Sequence, residues 1–248
     1  MWYSKIESNR FDLCIYREKI DSLNADYENI KSKLEKNDVD ILILRLPTLS
    51  MPDHYKLLSD SYRVIHADSL LYYKNDLQKS NGSVLRNDFS FECIENDNVD
   101  CLNEMIPIIF SDYQNHYFSN PLLDRTKIIS GYIEWAMSYS NVGNGRIAWI
   151  VKDHEKNVAF ATCYFDEKER MCDGILYGVM PEYSGRGVYS DLICYTKSFF
   201  KEKGFEKMYV STQLQNVAVQ KVWCREGFRL DHSYETYHIV KKELLEKI

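Results

Sequence analysis

The sequence lacks several features that define whole classes of protein. No apolar run approaches 18 residues, the length that crosses a bilayer, and the opening stretch MWYSKIESNRF has no apolar segment of the kind found in secretion signals. No CxxC pair occurs, and the seven cysteines and six histidines show no metal-ligand spacing. These absences predict a soluble, cytoplasmic protein that neither associates with a membrane nor binds a metal ion. The cysteines are predicted to be reduced thiols, mostly in the core.

Clustered positive charge is also missing. The formal net charge is −6 and no basic run occurs, whereas proteins that bind nucleic acids do so largely through clustered Lys and Arg. We therefore expect no nucleic-acid partner. The 45% of hydrophobic residues is enough for a sizeable core, and 248 residues suit one or two domains. We expect two.

The first of these domains is predicted over residues 1–88 as a small α/β unit. Strands are predicted for FDLCIY, VDILILRLP and ADSLLYYKN, and helices for IDSLNADYENIKSKLEKN and HYKLLSDSY. The polar stretch KNDLQKSNGSVLRNDFS, with Asn-Gly-Ser at its centre, is interpreted as a linker or crossover.

The second domain is predicted over residues 89–248 and begins with two helices, within DCLNEMIPIIFSDYQ and LDRTKIISGYIEWAMSY. Three strands follow in RIAWIVKD, VAFATCYFDE and ERMCDGILYGVM. A helix over 186–203, the strand KMYVSTQL and a helix over 216–226 come next, each helix ending at a glycine. FRLDHSYETYHIV is predicted as a final strand or hairpin.

Glycine is scarce, with ten in the chain, yet GVMPEYSGRGVYSDLI places Gly185 and Gly187 between a strand and a helix. Such a turn lets backbone N–H groups and the positive end of the helix approach an anion. The dinucleotide pattern GxGxxG and the P-loop pattern GxxxxGK[ST] are both absent from this stretch. The pattern therefore predicts a site for some other phosphate-bearing ligand, with a plain tight turn as the alternative.

The string V-x-P-x-x-x-G-x-G, formed here by Val179, Pro181, Gly185 and Gly187, resembles the acyl-CoA signature of the GNAT superfamily. Downstream, NVAVQKVWCREGF resembles the second motif of that superfamily. The resemblance implies an α/β (α+β) GNAT fold with a central mixed, mostly antiparallel sheet flanked by helices. It also implies an acyl-CoA-dependent N-acyltransferase that uses acetyl-CoA or a longer or hydroxylated acyl-CoA, and a homodimer, since many members pair.

Ten residues are assigned to acyl-CoA by this resemblance: Val179, Met180, Ser184, Gly185, Arg186, Gly187, Val188, Tyr189, Asn216 and Trp223. Backbone N–H groups near Val179 and Met180 are expected to stabilise the oxyanion. Three residues depart from the family pattern. Ser184 replaces Gln or Arg, and Tyr189 replaces a small residue, so that its ring must turn away from the phosphates. Trp223 replaces a tyrosine that protonates the leaving thiolate in many members; because indole has no accessible acidity, we interpret it as a packing residue.

The segment NHYFSNPLLDRTKIISGYIEW resembles the acceptor region of the dTDP-fucosamine acetyltransferase type, with His116 in place of an arginine. The resemblance implies that His116, Tyr117, Tyr132 and Trp135 contact the acceptor. That acceptor would be a nucleotide-linked, dTDP-linked amino-dideoxy sugar, 3-amino or 4-amino, used in lipopolysaccharide, O-antigen or capsule synthesis. Glu134, Asp112 and His116 are the candidates for accepting the proton of the amine.

Other interpretations stay open on the sequence alone. The enzyme could act on a protein N-terminus, a peptide or another small amine. Trp223 also leaves open a non-catalytic acyl-CoA-binding module. Tyr132 and Trp135 could be core residues of an amphipathic helix rather than acceptor contacts.

Overall fold

A computed structural model describes residues 1–22, 25–48, 61–80, 84–94, 99–140 and 143–248. Its strands are β1 (Trp2–Tyr3), β2 (Ile15–Lys19), β3 (Ile41–Pro47), β4 (Tyr62–Asp76), β5 (Ser90–Cys93), β6 (Arg146–Asp153), β7 (Lys156–Asp166), β8 (Met171–Val179), β9 (Lys207–Gln213) and β10 (Arg229–Lys241). Its α-helices are α1 (Lys5–Phe11), α2 (Tyr27–Lys36), α3 (Cys101–Ile109), α4 (Thr126–Met137), α5 (Val188–Glu202), α6 (Val217–Arg225) and α7 (Lys242–Leu245).

The chain divides into two compact units, and neither is one continuous stretch. The first comprises Met1–Leu71, Gln114–Ile128 and His232–Ile248, and the second comprises Tyr72–Tyr113 and Ile129–Asp231. These units follow packing rather than chain order, so the division at residue 88 stays a prediction.

In the first unit the strands lie in the order β1-β2-β3-β10-β4. Strands β2 and β3 are parallel and are connected through α2, whereas β1 pairs antiparallel with β2, and β10 with β3. Helix α2 begins where the Asp26 side chain accepts a hydrogen bond from the N–H of Asn29 (3.0 Å). It packs Ile30 and Leu34 on the strand residues Leu42 and Leu44, which are fully buried as in a central strand.

In the second unit the order is β4-β9-β8-β7-β6-β5. The pairs β5/β6, β6/β7 and β7/β8 are antiparallel, and β8 and β9 are parallel, connected through α5. Aromatic rings of α5 pack on β6, with Trp149 edge-on to Phe199 at 5.0 Å between ring centroids. The sheet is therefore mixed and mostly antiparallel, as the sequence predicts.

One sequence prediction about the elements is wrong, and one that allowed two outcomes is resolved. FDLCIY is not a strand throughout, because Phe11 ends α1 and Asp12 turns the chain in a left-handed conformation (φ 56°) before β2 begins at Ile15. FRLDHSYETYHIV, for which a strand or a hairpin is predicted, forms the single strand β10. Most of HYKLLSDSY, and the Asn-Gly-Ser of the predicted linker, lie outside the described residues.

Two findings concern membranes and thiols. Across the described residues, no helix combines the length and the apolar character needed to cross a membrane. All seven cysteines lie within the described residues, and none is in a disulfide. Only Cys163, Cys172 and Cys194 are buried and Cys224 is exposed, so the prediction that most of the cysteines lie in the core is wrong.

Candidate active site

Strands β8 and β9 separate halfway along their length. They pair from Met171 with Lys207 to Gly174 with Val210, where their ladder ends. Beyond that point β8 continues to Val179 alongside β7. The edge of β8 that faces away from β7 is therefore outside the β8–β9 ladder over its last five residues.

A β-bulge lies where the two strands separate. Thr162 of β7 pairs with Leu176 and Cys163 pairs with Gly174, so Ile175 is the extra residue on β8. The buried Thr162 hydroxyl satisfies the displaced backbone, because it accepts from the N–H of Leu176 (3.1 Å) and donates to its carbonyl (3.4 Å). One side chain thus stabilises the bend that opens the sheet.

The strand leads through a short turn to the N-terminus of α5. Gly187 is the N-cap residue, and no side chain among the described residues caps the first turn. The first helical hydrogen bond runs from the N–H of Asp191 to the carbonyl of Gly187 (3.0 Å). The N–H groups of Val188, Tyr189 and Ser190 therefore lie outside the helical ladder and form the positive end of the helix dipole.

The turn itself has the backbone that the two glycines allow. Gly185 and Gly187 have φ of +76° and +85°, and a Cβ on Gly185 would meet no described atom within 4 Å. Ser184, Gly185 and Arg186 are exposed, and the guanidinium of Arg186 lies 5.0 Å from the centroid of the Tyr183 ring. The glycines therefore leave an exposed backbone cradle at the helix N-terminus, which suits an anion.

Val179 and Met180 differ in what their backbones can offer. The N–H of Met180 donates to the carbonyl of Val158 (2.8 Å), and its carbonyl accepts from the N–H of Tyr183 (2.9 Å). Because successive N–H groups alternate sides along a strand, the N–H of Val179 points away from β7. Of the two predicted oxyanion donors, Val179 and Met180, only the N–H of Val179 then remains a candidate.

Tyr189 and Trp223 face each other at the separation of β8 and β9. The half-buried ring of Tyr189 lies 6.2 Å, centroid to centroid, from the ring of Tyr177 on β8, so it does not cover the loop. Burial raises the pKa of Tyr189, and an interaction with the side chain of Trp223 opposes this in part. Trp223 is 2% exposed and packs on Tyr73 at 5.5 Å between centroids.

Asn216 precedes α6, at the end of the loop that follows β9. Its side chain does not cap the helix; the amide Nδ2 instead donates to the hydroxyl of Thr212 (3.0 Å). This contact holds Asn216 at the carboxyl end of β9, near the point where β9 has left β8.

His116, a predicted proton acceptor, is buried in the first unit. The N–H of Leu122 donates to Asn120 Oδ1 (3.1 Å), which orients the Asn120 amide so that Nδ2 donates to His238 Nδ1 (3.1 Å). His238 then carries its proton on Nε2 and donates to His116 Nδ1 (2.9 Å). Burial lowers the pKa of both imidazoles, that of His238 to about 3. His116 therefore has no free lone pair for an incoming proton.

Tyr117 belongs to a second buried network of the same unit. Its hydroxyl donates to Glu7 and accepts from Arg17 (3.0 Å), and Arg17 binds Glu7 through two N–H groups at 2.6 Å each. Burial raises the pKa of Tyr117 to about 12. Burial alone would raise the pKa of Glu7, but the hydrogen bond and the charge of Arg17 outweigh it and lower the pKa to about 2.

The remaining acceptor candidates belong to the second unit. Tyr132 is 8% exposed and stacks on Phe110 with 4.7 Å between centroids and 3° between ring planes. Trp135 is 45% exposed, and Glu134 and Asp112 are also exposed. The structure thus gives Tyr132 the surroundings of a core residue and leaves Trp135 open to a ligand.

Sequence reasoning missed a segment that contacts the α5 N-terminus. Arg86 and Asn87, assigned to the polar linker, bind the buried carboxylate of Asp191 in the first turn of α5 through backbone N–H groups at 2.8 and 3.1 Å. An acidic residue within the apolar run VYSDLI signals that some partner exists. No sequence signal identifies the partner, because it lies more than 100 positions away.

Known proteins share a sequence pattern and a fold with this chain. The profile described as "Acetyltransferase (GNAT) family" matches residues 104–228, just over half of the chain. The chain belongs to the GNAT acetyltransferase family. It is accordingly an acyl-CoA-dependent N-acyltransferase, as the two glycine motifs predicted. No curated protein shows significant similarity in sequence.

Solved structures share the fold across most of the chain. A functionally unknown conserved protein from Staphylococcus epidermidis ATCC 12228 is 13% identical, with a TM-score of 0.59 over 92% of this chain and 83% of that one. A GCN5-related N-acetyltransferase from Sphaerobacter thermophilus is 12% identical, with a TM-score of 0.56 over 85% and 64%. A glucosamine N-acetyltransferase region in a fungal multi-domain GH3 beta-N-acetylglucosaminidase is 15% identical, with a TM-score of 0.59 over 86% and 27%. They establish the predicted α+β GNAT fold.

Proposed function

We propose that this enzyme binds acyl-CoA where β8 leaves β9 and transfers the acyl group to the amine of a nucleotide-linked amino-dideoxy sugar. The observation that supports the co-substrate site is the N-terminus of α5, which no described side chain caps. It follows a strand, β8, whose outer edge lies outside the β8–β9 ladder beyond Gly174. The first feature suits a diphosphate, and the second suits an extended amide-containing arm.

Acyl-CoA supplies a thioester, which an amine converts to an amide with release of the thiol. The loop amides of Gly185 and of Gly187 to Ser190 would hold the diphosphate, whereas the N–H of Arg186 donates to the Tyr183 carbonyl (3.3 Å). The edge of β8 beyond the β8–β9 ladder would pair with the arm. The N–H of Val179 points to the side where the carbonyl oxygen would develop negative charge. Trp223 holds its aromatic surface beside Tyr73 and can donate a hydrogen bond but no proton.

The proton of the amine needs a weak base only. An amine on a sugar ring is flanked by electron-withdrawing oxygens, so its pKa should lie nearer about 8 than the lysine value of about 10.4. Glu134 and Asp112 are exposed carboxylates of the second unit, whereas the lone pair of His116 Nδ1 is already used by His238. We therefore favour a carboxylate, directly or through water.

The amino sugar is supported by the resemblance around the Tyr132–Trp135 segment and by the exposure of Trp135. An exposed indole can cover the apolar face of a sugar or stack on a base. The fungal glucosamine N-acetyltransferase region has the same fold, and at 15% identity that likeness concerns the fold alone.

Thiol release tests the proposal when the enzyme is given several acyl-CoAs and a panel of acceptors: dTDP-3-amino and dTDP-4-amino sugars, free amino sugars, peptides with a free N-terminus and simple amines. We expect a dTDP-amino sugar to give a kcat/KM at least about a hundredfold above that of any peptide or simple amine. Preferred turnover of a peptide would overturn the acceptor assignment and leave the co-substrate site standing. If none of the tested acceptors raised thiol release above the rate of acyl-CoA hydrolysis, both the acyl-CoA site and the acceptor assignment would be overturned.

A further inference from the structure

Residues 84–88, here called the strap, lie against the first turn of α5 within the second unit. Besides the two backbone bonds to Asp191, the Asn87 amide donates to Asp191 Oδ2 (2.7 Å) and to the carbonyl of Arg186 (3.2 Å). A Cβ on Gly187 would lie 3.5 Å from Asn87 Nδ2 and 3.7 Å from Arg86 Cδ. The strap is therefore in contact with the glycine loop.

Arg86 extends from the strap along the helix. Its guanidinium donates to the Ser190 hydroxyl, in the turn whose N–H groups are outside the helical ladder, and to Glu226 Oε1 (2.8 Å). Half of the Arg86 side chain remains exposed. A guanidinium has five N–H donors, so several stay available for an anion that approaches from solvent.

The charges around this turn make Arg86 important for an anion. Asp191 is fully buried, and Glu226 is held as a carboxylate: burial alone would raise its pKa, but hydrogen bonds from Ser190, Arg86 and Cys194 lower it. Two carboxylates thus lie at the helix end where a diphosphate would bind. Without Arg86, their repulsion would act on the ligand with no nearby cation from the strap to offset it.

We propose that Arg86 is a binding residue for the diphosphate of acyl-CoA, contributed by a segment that lies before the family-matched residues 104–228. This rests on the proposed co-substrate site at the α5 N-terminus. The strap anchors itself on Asp191, and Arg86 converts an anionic helix end into one that accepts a dianion. The neighbouring buried cation Lys197 has a separate role, because its Nζ donates to the Glu226 carbonyl (2.6 Å) at the end of α6.

Calorimetric titration with CoA and with 3′-dephospho-CoA tests this contact in the full-length protein. We expect Arg86→Gln to weaken both ligands by about tenfold or more, with the ratio of their two Kd values unchanged, because both carry the diphosphate. Arg86→Lys should fall between wild type and Arg86→Gln, since it keeps the charge and loses the planar fork. The matched control is Arg170→Gln, which removes an exposed arginine paired with Glu206 (2.8 Å) elsewhere in the second unit. It should change neither Kd.

Three results would overturn the proposal. The first is an Arg86→Gln variant that melts like wild type and binds both ligands with unchanged Kd. The second is a loss for CoA alone, which would place Arg86 at the 3′-phosphate, in the open groove of about 1060 Å³ that it lines with Arg225 and Arg229. The third is a loss for both ligands that Arg86→Gln/Glu226→Gln does not reduce, since removing one carboxylate should restore part of the affinity. A wild-type protein that binds neither ligand would instead overturn the co-substrate site itself.

Discussion

The buried polar network of the first unit and the loop of the second use similar chemistry in opposite ways. In the first unit, His116, His238 and Tyr117 direct their polar atoms at protein partners. At the α5 N-terminus, three backbone N–H groups lie outside the helical ladder and the cradle is open. A polar group already bonded to protein gives up that bond before it binds a ligand, whereas an uncommitted N–H does not.

The two regions differ in whether their sequence signals indicate function. Aromatic and imidazole side chains around His116 match an acceptor region in kind, yet their polar atoms stabilise the first unit. Glycines have no side chain to commit, so the pair in the loop leaves its backbone available. We expect perturbation of the network to change stability and perturbation of the loop to change binding.

The largest effect that we predict is a loss of stability in acid. Burial lowers the pKa of His238 to about 3 from 6.5, so the unfolded chain binds the proton first. The free energy of unfolding is unaffected above pH 6.5 and falls as pH decreases toward 3, by on the order of 4 kcal/mol. Urea denaturation at pH 7, 5.5 and 4.5 measures this. Glu7, whose pKa is lowered to about 2, adds a loss of the same sign below pH 4.5.

His238→Gln isolates the histidine contribution. It should be less stable than wild type at pH 7, and its stability should fall less between pH 6.5 and 4.5. The exposed His154 serves as control, because His154→Gln removes an imidazole that is not buried. An unfolding free energy of wild type that stays constant from pH 6.5 to 4.5 would contradict the buried, neutral pair.

The next largest effect distinguishes Tyr132 from Trp135, which share a helix and differ in exposure: one substitution should reduce stability and the other should reduce acceptor binding. Tyr132→Ala should lose on the order of 3 kcal/mol of stability, because it empties a site stacked on Phe110. Trp135→Ala should lose less than about 1 kcal/mol and raise the acceptor KM several-fold, with the acyl-CoA KM within about twofold. Thermal melts and steady-state kinetics for each substrate measure both.

Trp2 provides a matched control for exposure, at 52% against 45% for Trp135. Trp2→Ala should leave both KM values unchanged. If Trp135→Ala raises neither KM, or raises both together, the acceptor role of the helix would be untenable.

Gly187→Val follows, with an expected loss of about a hundredfold in acyl-CoA affinity, equivalent to about 2.7 kcal/mol. The added side chain presses on the strap, since its Cβ would lie 3.5 Å from Asn87 Nδ2 and 3.7 Å from Arg86 Cδ. A φ of +85° also strains the backbone by about 1 to 2 kcal/mol. Calorimetry and a melting curve separate binding from stability.

The control for strain is Gly204, at the other end of α5, which has φ of +83°. Gly204→Val should lose a similar amount of stability and keep its affinity for acyl-CoA. Equal losses of affinity in the two variants would show that Gly187 acts only through the backbone of the helix.

These predictions also show how far sequence reasoning reaches. The elements from β6 to α6 were predicted within a few residues, because each has a clear apolar period and ends at a turn residue such as Gly204 or Gly227. The loop was found for the same reason, since its chemistry depends on backbone that glycine permits. These are local properties, and local properties can be read from adjacent residues.

What the sequence did not reveal depends on partners far apart in the chain. His116 is a candidate base in the sequence because none of its sequence neighbours indicates His238, its hydrogen-bond partner 122 positions away. Arg86 looked like linker because Asp191 follows 105 positions later. The bulge at Ile175 needs the hydroxyl of Thr162 on the neighbouring strand. Whether a polar group is already hydrogen-bonded to another part of the protein depends on tertiary structure, so residue type alone cannot predict it.

The smallest effect that we predict concerns Trp223, which the resemblance to the second family motif aligns with a tyrosine that acts as a general acid in many members. It is buried against Tyr73 and faces Tyr189, the surroundings of a packing residue. Trp223→Phe should therefore keep most of the turnover, and Trp223→Tyr should change kcat by less than about threefold at neutral pH, since general acid catalysis typically supplies about a hundredfold or more. Trp149→Phe, at an equally buried tryptophan of the second unit, controls for the loss of packing. If Trp223→Tyr instead raised kcat about a hundredfold at pH 7 and lost that gain above the pKa of a phenol, protonation of the thiolate would be the limiting step. Packing could not then be the whole role of this position.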